Sequence, residues 1–150
     1  MKKLNNKGFT LIELLAVIVI LAIVVAITIP AVLTTINTSK KKAFETSIAT
    51  VADWFERQYQ AYQIGDSAVA TVDNSFTSAC VTSGSISCTK TSPKGLSADE
   101  MKSAGVDPGN YSSITVYIDT NTGRACVKGN SDPNGNFGTQ TSDFPSAGCK

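Results

Sequence analysis

The chain has 150 residues, a formal net charge of +1 and 42% apolar residues, which suits one modest domain and gives no overall charge for binding nucleic acid. It contains no histidine, which excludes Ser-His and Cys-His catalysis, histidine general bases and most catalytic zinc sites. The apolar residues are concentrated in residues 11–36, and the remainder is lean in them for a globular domain. We therefore expect a strongly apolar N-terminal segment joined to a polar head.

The N-terminal segment predicts a retained membrane helix. Residues 1–8 carry three lysines and no acid, and every residue from 14 to 27 is apolar. A helix over residues 9–33 is long enough to cross the hydrocarbon core of a bilayer. An ordinary signal peptide is the alternative, but the apolar stretch is long for one, and no small-x-small cleavage site followed by polar sequence ends it.

Glu13 is the unusual residue of this segment, because no other charge appears between Lys7 and Lys40. A carboxylate near the start of a membrane helix costs a few kcal/mol, on the order of 3, unless it is neutralised or paired. In one interpretation Glu13 lies at the depth of the lipid headgroups. In the other it pairs with a positive partner inside an assembly.

The sequence Lys7-Gly8-Phe9-Thr10-Leu11-Ile12-Glu13 resembles the cleavage motif of type IV pilins and of the pseudopilins of type II secretion and competence systems. The shared features are a basic leader, a glycine before the cut, a phenylalanine after it and a glutamate four residues beyond. The apolar run and Pro30 match the family as well. The resemblance is strong over about residues 1–64; beyond them only the general organisation is similar.

The resemblance implies that a prepilin peptidase cuts between Gly8 and Phe9 on the cytoplasmic side and methylates the new amino group of Phe9. Residues 1–8 would then be a leader, residues 9–36 a transmembrane helix that later forms the filament core, and residues 37–150 the head. Glu13 would pair with the Phe9 ammonium of a neighbouring subunit, where each charge is tolerable only beside the other.

The orientation before assembly is expected to have the N-terminus inside. The lysine count does not decide it, because three lysines lie on each side of the apolar run. We base the orientation on the cysteines, which need an oxidising exterior, and on the peptidase motif.

Beyond the anchor the pattern predicts an amphipathic helix ending near residue 64, before Gly65. Pro30 is expected to kink or locally melt the preceding helix. Trp54 lies one position off the apolar stripe and either flanks the core or meets a neighbouring subunit. The stripe has spacings of three and four residues that are typical of a face packed on a core: Phe44, Ile48, Val51, Phe55, Tyr59 and Tyr62.

Three consecutive lysines, Lys40, Lys41 and Lys42, precede this stripe. We interpret them as a solvated neck. A contact with DNA or anionic lipid is the weaker alternative, because no aromatic platform accompanies them.

The head is rich in Ser, Thr, Gly and Asn, which suits short strands and turns. Its clearest element is an antiparallel hairpin with strands at 114–118 and 124–128 and a left-handed Gly123 in the turn. Ser97 and Glu100 form a capping-box pattern that opens a short helix ended by Gly105. Another strand is expected within residues 68–82. The predicted class is thus α+β, a long N-terminal helix packed on a small antiparallel sheet, as in pilins.

Four cysteines in the head indicate disulfides, because their wide and irregular spacing is unlike that of a zinc site. Of the three pairings, sequence proximity favours Cys80–Cys88 with Cys126–Cys149. The second pair resembles the disulfide-closed C-terminal loop of many pilins. Its long loop corresponds to roughly 3 kcal/mol of stabilisation in the chain-entropy model.

The loop from Asp132 to Asn136 carries oxygen ligands that suit either a calcium site or a turn. Asp143 follows in sequence, and Asp119 with Asn121 offers further oxygens. The spacing matches no EF-hand, and Asp-Pro-Asn-Gly is a common turn sequence. We expect a turn, with no metal and no cofactor.

The leading hypothesis is a non-enzymatic structural subunit of a type IV pilus-like surface filament used for adhesion, motility or DNA uptake. It would pass from the cytoplasmic membrane to an extracellular filament. Its partners would be its own copies, the peptidase, a membrane platform and a cytoplasmic ATPase, since this chain has no phosphate-binding loop; a host surface or DNA is the expected class of ligand. A pseudopilin is the alternative within the family. A monomeric membrane-anchored adhesin or binding module is the alternative from another class, and Glu13 argues against it.

Overall fold

The computed structural model describes residues 9–65 and 72–145, so the expected leader lies outside the described residues. The chain divides into two compact units, Met1–Ser39 and Lys40–Lys150, each considered by itself. The elements, in chain order, are α1 (Leu11–Ile64), α2 (Asn74–Cys80), β1 (Val81–Thr82), β2 (Ser85–Ile86), β3 (Lys94–Gly95), α3 (Ala98–Ser103), a 3-10 turn (Pro108–Asn110), β4 (Tyr111–Asp119), β5 (Arg124–Ser131) and β6 (Thr141–Phe144).

The first unit contains the apolar half of α1, whose side chains are exposed throughout. Among its large apolar residues the exposed fractions run from 43% at Ile36 to 83% at Leu11. By length and composition this helix can cross a membrane. The helix continues without a break through Pro30. The structure thus has no locally melted turn there, and a kink at Pro30 stays a prediction.

The second unit is built on the amphipathic half of α1, which packs on an antiparallel sheet of order β3-β4-β5-β6. Four residues of the predicted stripe are fully buried, Tyr59 is 7% exposed, and Tyr62 packs at the margin of the core. The sheet presents the inward-facing alternate residues of β4 and β5: Ile114, Val116, Ile118, Ala125 and Val127. This confirms the predicted α+β architecture.

The side chains of α1 pack directly against the sheet backbone at Gly129 on β5. A Cβ atom built on Gly129 would lie 2.1 Å from Cδ1 of Ile48 and 3.3 Å from the ring of Phe44. Close-packed interiors have no spare volume for such an atom. Glycine therefore leaves the space on β5 that the side chains of Ile48 and Phe44 occupy.

Two polar contacts also tie α1 to the sheet. Glu56 accepts a hydrogen bond from the backbone N–H of Ala125 at 3.1 Å and lies 3.9 Å from Arg124. Ser47 and the phenol of Tyr111 form a hydrogen bond, and burial raises the pKa of Tyr111. These contacts help to set the position of the β4–β5 hairpin on the helix.

The predicted hairpin is confirmed and is longer than expected. β4 pairs with β5 from Asp119↔Arg124 to Tyr111↔Ser131, and Gly123 adopts φ 71°. In the turn, the Asp119 carboxylate accepts hydrogen bonds from the hydroxyl of Thr122 at 2.8 Å and the N–H of Asn121 at 3.0 Å. These bonds hold the pKa of Asp119 below its usual range.

The expected strand within residues 68–82 is wrong for most of the part that the structure describes. Residues 74–80 form helix α2, and only Val81–Thr82 is extended as β1. Asp73 caps α2 by accepting the N–H of Ser75 at 2.7 Å, and Phe76 is fully buried. Local capping and the burial of one aromatic ring thus outweigh the weak helix propensity of the Ser/Thr-rich sequence.

The helix predicted from the capping box is confirmed as α3. The Ser97 hydroxyl accepts the N–H of Glu100, and the Glu100 carboxylate accepts the N–H of Ser97 at 2.6 Å. Gly105 follows with φ 82°. Strands β3 and β6, at the two edges of the sheet, were not predicted from the sequence.

One disulfide joins Cys80 at the end of α2 to Cys88, with an S–S distance of 2.03 Å. This is the pairing that sequence proximity favours. Cys126 is also disulfide-bonded. Its predicted partner, Cys149, lies outside the described residues, so the Cys126–Cys149 bridge stays a prediction.

Gly129→Ala should destabilise the head by about 1–3 kcal/mol, because the added methyl group meets Ile48 and Phe44. The matched control is Gly95→Ala, on β3 of the same sheet, where an added Cβ has no atom within 4 Å. Denaturant unfolding of the detergent-solubilised chain measures both variants. Equal stability of the two variants would show that Ile48 and Phe44 can make room for the methyl group at no cost.

Peptide mapping without reduction should recover Cys80 linked to Cys88 and Cys126 linked to Cys149. The first link follows from the structure and the second from sequence proximity. A peptide that joins Cys80 to Cys126 would contradict both.

Candidate assembly site at the start of the apolar helix

The candidate site is the first turn of α1, where Thr10 immediately precedes the helix. Both the backbone N–H and the hydroxyl of Thr10 donate to Oε2 of Glu13, at 2.8 and 2.7 Å. The N–H of Glu13 lies 3.4 Å from the Thr10 hydroxyl and donates to it. This reciprocal arrangement is a capping box, with Thr10 as the cap and Glu13 as the third helical residue.

This capping box is not among the predicted features, although Thr10-Leu11-Ile12-Glu13 carries its Thr-x-x-Glu signature. Glu13 was interpreted only through its charge, as an acid without a partner in its own chain. The structure gives it one. Thr10 therefore satisfies part of the hydrogen-bonding capacity of the carboxylate before any second molecule is present.

The capping box leaves Glu13 able to bind a cation. Both Thr10 donors reach Oε2, and a carboxylate accepts at two oxygens, so Oε1 retains its capacity. Phe9 is 84% exposed beside this turn. Gly8, the other residue of the expected cleavage site, lies outside the described residues.

From Leu14 to Ser39 the first unit presents an apolar surface without charged side chains. Glu13 is the one charged side chain from Phe9 to Ser39. A continuous exposed apolar surface of this size is a binding surface for lipid or for other apolar helices. The site thus combines one carboxylate with a long apolar helix.

The structure does not bring the candidate calcium ligands together. Asp132 accepts the N–H of Asn134 at 2.8 Å, which is turn geometry, and Asn136 donates to the side chain of Asn110 at 2.9 Å. Asp119 lies at the turn that joins β4 to β5, whereas Asp132 follows the far end of β5. Asp143 lies on β6 opposite Lys128.

The remaining sequence candidates lie in the second unit. Trp54 is half-buried, with its ring centroid 4.8 Å from that of Phe55 and 6.5 Å from that of Phe76. It therefore flanks the core. The three neck lysines, which directly follow Ser39, are exposed.

The outward face of the sheet carries a shallow cleft of about 250 Å³ that includes Lys90, Tyr117, Lys128 and Asp143 among its lining residues. Both signs of charge are present, so charge selects no class of ligand for it. This cleft contributes no argument for a particular binding partner.

Comparison with known families finds a match in the N-terminal segment. Residues 3–29 match the model of the prokaryotic N-terminal methylation motif. The chain therefore carries this motif, which is characteristic of type IV pilins and pseudopilins. The match ends within the apolar half of α1 and does not include the head. Comparison of the whole chain with curated proteins and with solved structures finds no match.

Thr10→Val should loosen the first turn of α1, because valine keeps the shape of threonine but lacks the hydroxyl that donates to the Glu13 carboxylate and accepts the Glu13 N–H. Of the bonds between the two residues only the one from the backbone N–H of residue 10 would remain. Amide hydrogen exchange at residues 12 and 13 in detergent micelles should become several-fold faster. Thr10→Ser, which keeps the hydroxyl, is the control and should exchange like the parent chain. Unchanged exchange in Thr10→Val would mean that the capping box does not hold this turn.

Proposed function

We propose that this protein is a non-enzymatic structural subunit of a type IV pilus-like surface filament. The proposal depends on one observation. A single carboxylate, Glu13, lies within a methylation motif on a stretch of helix that is otherwise uncharged, apolar and exposed up to Ser39. The second unit supports the proposal as well. Its helix, sheet and disulfide form a folded head of the kind that a filament subunit would present at the filament surface.

Processing by a prepilin peptidase is the first step of the proposal. The enzyme cuts between Gly8 and Phe9, removes the leader with Lys2, Lys3 and Lys7, and methylates the amine of Phe9. The cut creates a cation at the start of an apolar helix. It therefore also creates the partner that Glu13 has in the assembled state.

Before assembly the helix lies in the cytoplasmic membrane with its N-terminus inside. Its side chains suit lipid, and its motif and apolar character fit membrane anchoring. Glu13 lies near the membrane boundary, where the cost of a carboxylate is lowest. The two hydrogen bonds from Thr10 reduce that cost further.

In the filament the apolar helices pack against one another and exclude both lipid and water. A carboxylate in such a bundle is strongly unfavourable unless an opposite charge lies beside it. The Phe9 ammonium of a neighbouring copy supplies that charge. The pair therefore opposes any packing that leaves the two groups apart, which sets the register of the helices.

Filament growth draws its energy from a cytoplasmic ATPase that acts through a membrane platform. The Ser/Thr-rich head with its disulfide favours a surface pilus, with a host surface or DNA as ligand. A pseudopilin is the alternative with the same anchor. A monomeric adhesin would gain from Glu13 the capping box at the start of α1 but would have no use for its charge.

The mature protein should begin at Phe9 and carry a methylated amine, and the intact mass of the purified protein measures this. Gly8→Val should block the cut and leave the precursor in the membrane. A mature N-terminus near residue 30 would contradict the proposal, because it would mean that the apolar helix is a signal peptide.

Glu13→Ala should leave the protein produced, inserted, cut and disulfide-bonded, while surface filaments are lost or strongly reduced. Glu13→Gln keeps the shape and loses the charge, and it should be defective too. Asp99→Asn, an exposed acid on α3, is the control. Electron microscopy of sheared filaments and their yield are the measurements. If both Glu13 variants polymerise like the parent, the pairing is wrong and the monomeric anchored module is favoured.

A further inference from the structure

An open groove of about 500 Å³ lies between the amphipathic half of α1 and the edge strand β6. The described residues that line it are Glu45, Thr46, Ala49, Ser142, Asp143, Phe144 and Pro145. The charged ones are Glu45 and Asp143, both acidic and both exposed. The described lining of the groove is therefore acidic where it is charged, although Lys128 lies opposite Asp143 on the neighbouring strand. Its helical wall carries the small side chains of Thr46 and Ala49, which leaves room for a long cationic side chain.

The neck lysines lie one turn before this groove on α1. Lys41 is 3.9 Å from Glu45 of its own chain, and the two side chains are 62% and 49% exposed. An exposed pair of this kind contributes little in water and can exchange its partner at small cost. The cations of the neck are thus available to a second molecule.

The spacing of these charges repeats the spacing at the start of the helix. Phe9 and Glu13 are four residues apart, and so are Lys41 and Glu45. In parallel copies, a shift of about 6 Å brings Phe9 of one copy level with Glu13 of its neighbour, since an α-helix rises 1.5 Å per residue. The same shift brings Lys41 of the first copy level with Glu45 of the neighbour.

We propose that Lys41 and Lys42 of one copy bind in the acidic groove of a neighbouring copy, between Glu45 and Asp143. This inference rests on the proposed function, because it requires parallel copies in a filament. The occupant is a second copy of this chain, chosen by charge complementarity and by the shared four-residue register. Opposite charges placed in this way fix register and exclude displaced neighbours, where like charges would meet.

Two complementary variants test the interface. Lys41→Glu with Lys42→Glu places negative charge on the neck, and Glu45→Lys with Asp143→Lys places positive charge in the groove. Each variant alone then juxtaposes like charges between copies, and its filament yield should fall at least about tenfold. Produced together in one cell, the two chains restore opposite charges at every contact between them. The yield should recover to about half of the parent value or more, with both chains in the filaments.

The controls separate this interface from folding and from polymerisation in general. Lys102→Glu and Asp99→Lys reverse exposed charges on α3, away from the groove, and should polymerise like the parent. The neutral pair Glu45→Gln with Asp143→Asn should lose yield in the same direction but less. Non-reduced peptide mapping of Cys80–Cys88 verifies that each variant folds.

Recovery by co-production supports contact between copies, since an ion pair within one chain cannot be repaired by another chain. Variants that polymerise alone like the parent would overturn the interface and leave the proposed function intact. A loss confined to the lysine variant, without recovery on co-production, would overturn it in favour of another partner of the neck, such as anionic lipid. A parent chain that forms no filaments would overturn both proposals.

Discussion

A charge in an apolar environment must have a partner, and Glu13 imposes this constraint on the whole molecule. It is the one charged side chain from Phe9 to Ser39, on a helix whose remaining surface suits lipid or other helices. In the single chain Thr10 meets part of the requirement through two hydrogen bonds. Hydrogen bonds do not neutralise the charge, however, and a dry bundle of helices would still require a cation beside it. The proposed cut before Phe9 supplies that cation.

Helix α1 is apolar and exposed before the neck lysines and amphipathic after them. In the second unit the apolar face of the amphipathic half packs on the sheet of the head. The stripe from Phe44 to Tyr59 is buried against the sheet, and Gly129 leaves the space that Ile48 and Phe44 occupy. Glu56 adds a directional bond to the hairpin at Ala125.

The sequence predicted those elements that one strong local pattern specifies. Three patterns each favour one local structure, and all three structures are present. They are the helical stripe of six aromatic and aliphatic residues, the alternating hairpin with Gly123 and the Ser-x-x-Glu capping box. Helix α2 was missed because its Ser/Thr-rich sequence has weak propensity, and it depends on the Asp73 cap and on the burial of Phe76. Strand β6 was missed because its four residues pair with β5, a long-range contact that no local pattern shows. The sequence also contains the Thr-x-x-Glu pattern of the capping box at Thr10. It was not predicted because Glu13 was interpreted through its charge alone.

Electron cryomicroscopy of the native filament, at a resolution that shows side chains, would reveal directly whether Glu13 is paired across two copies. We expect the methylated amine of Phe9 to lie within hydrogen-bonding distance, about 3 Å, of a Glu13 carboxylate oxygen on a neighbouring copy, inside a core of packed apolar helices. A filament core in which Glu13 contacts only Thr10 of its own chain, with the Phe9 amine paired elsewhere or open to solvent, would contradict this pairing.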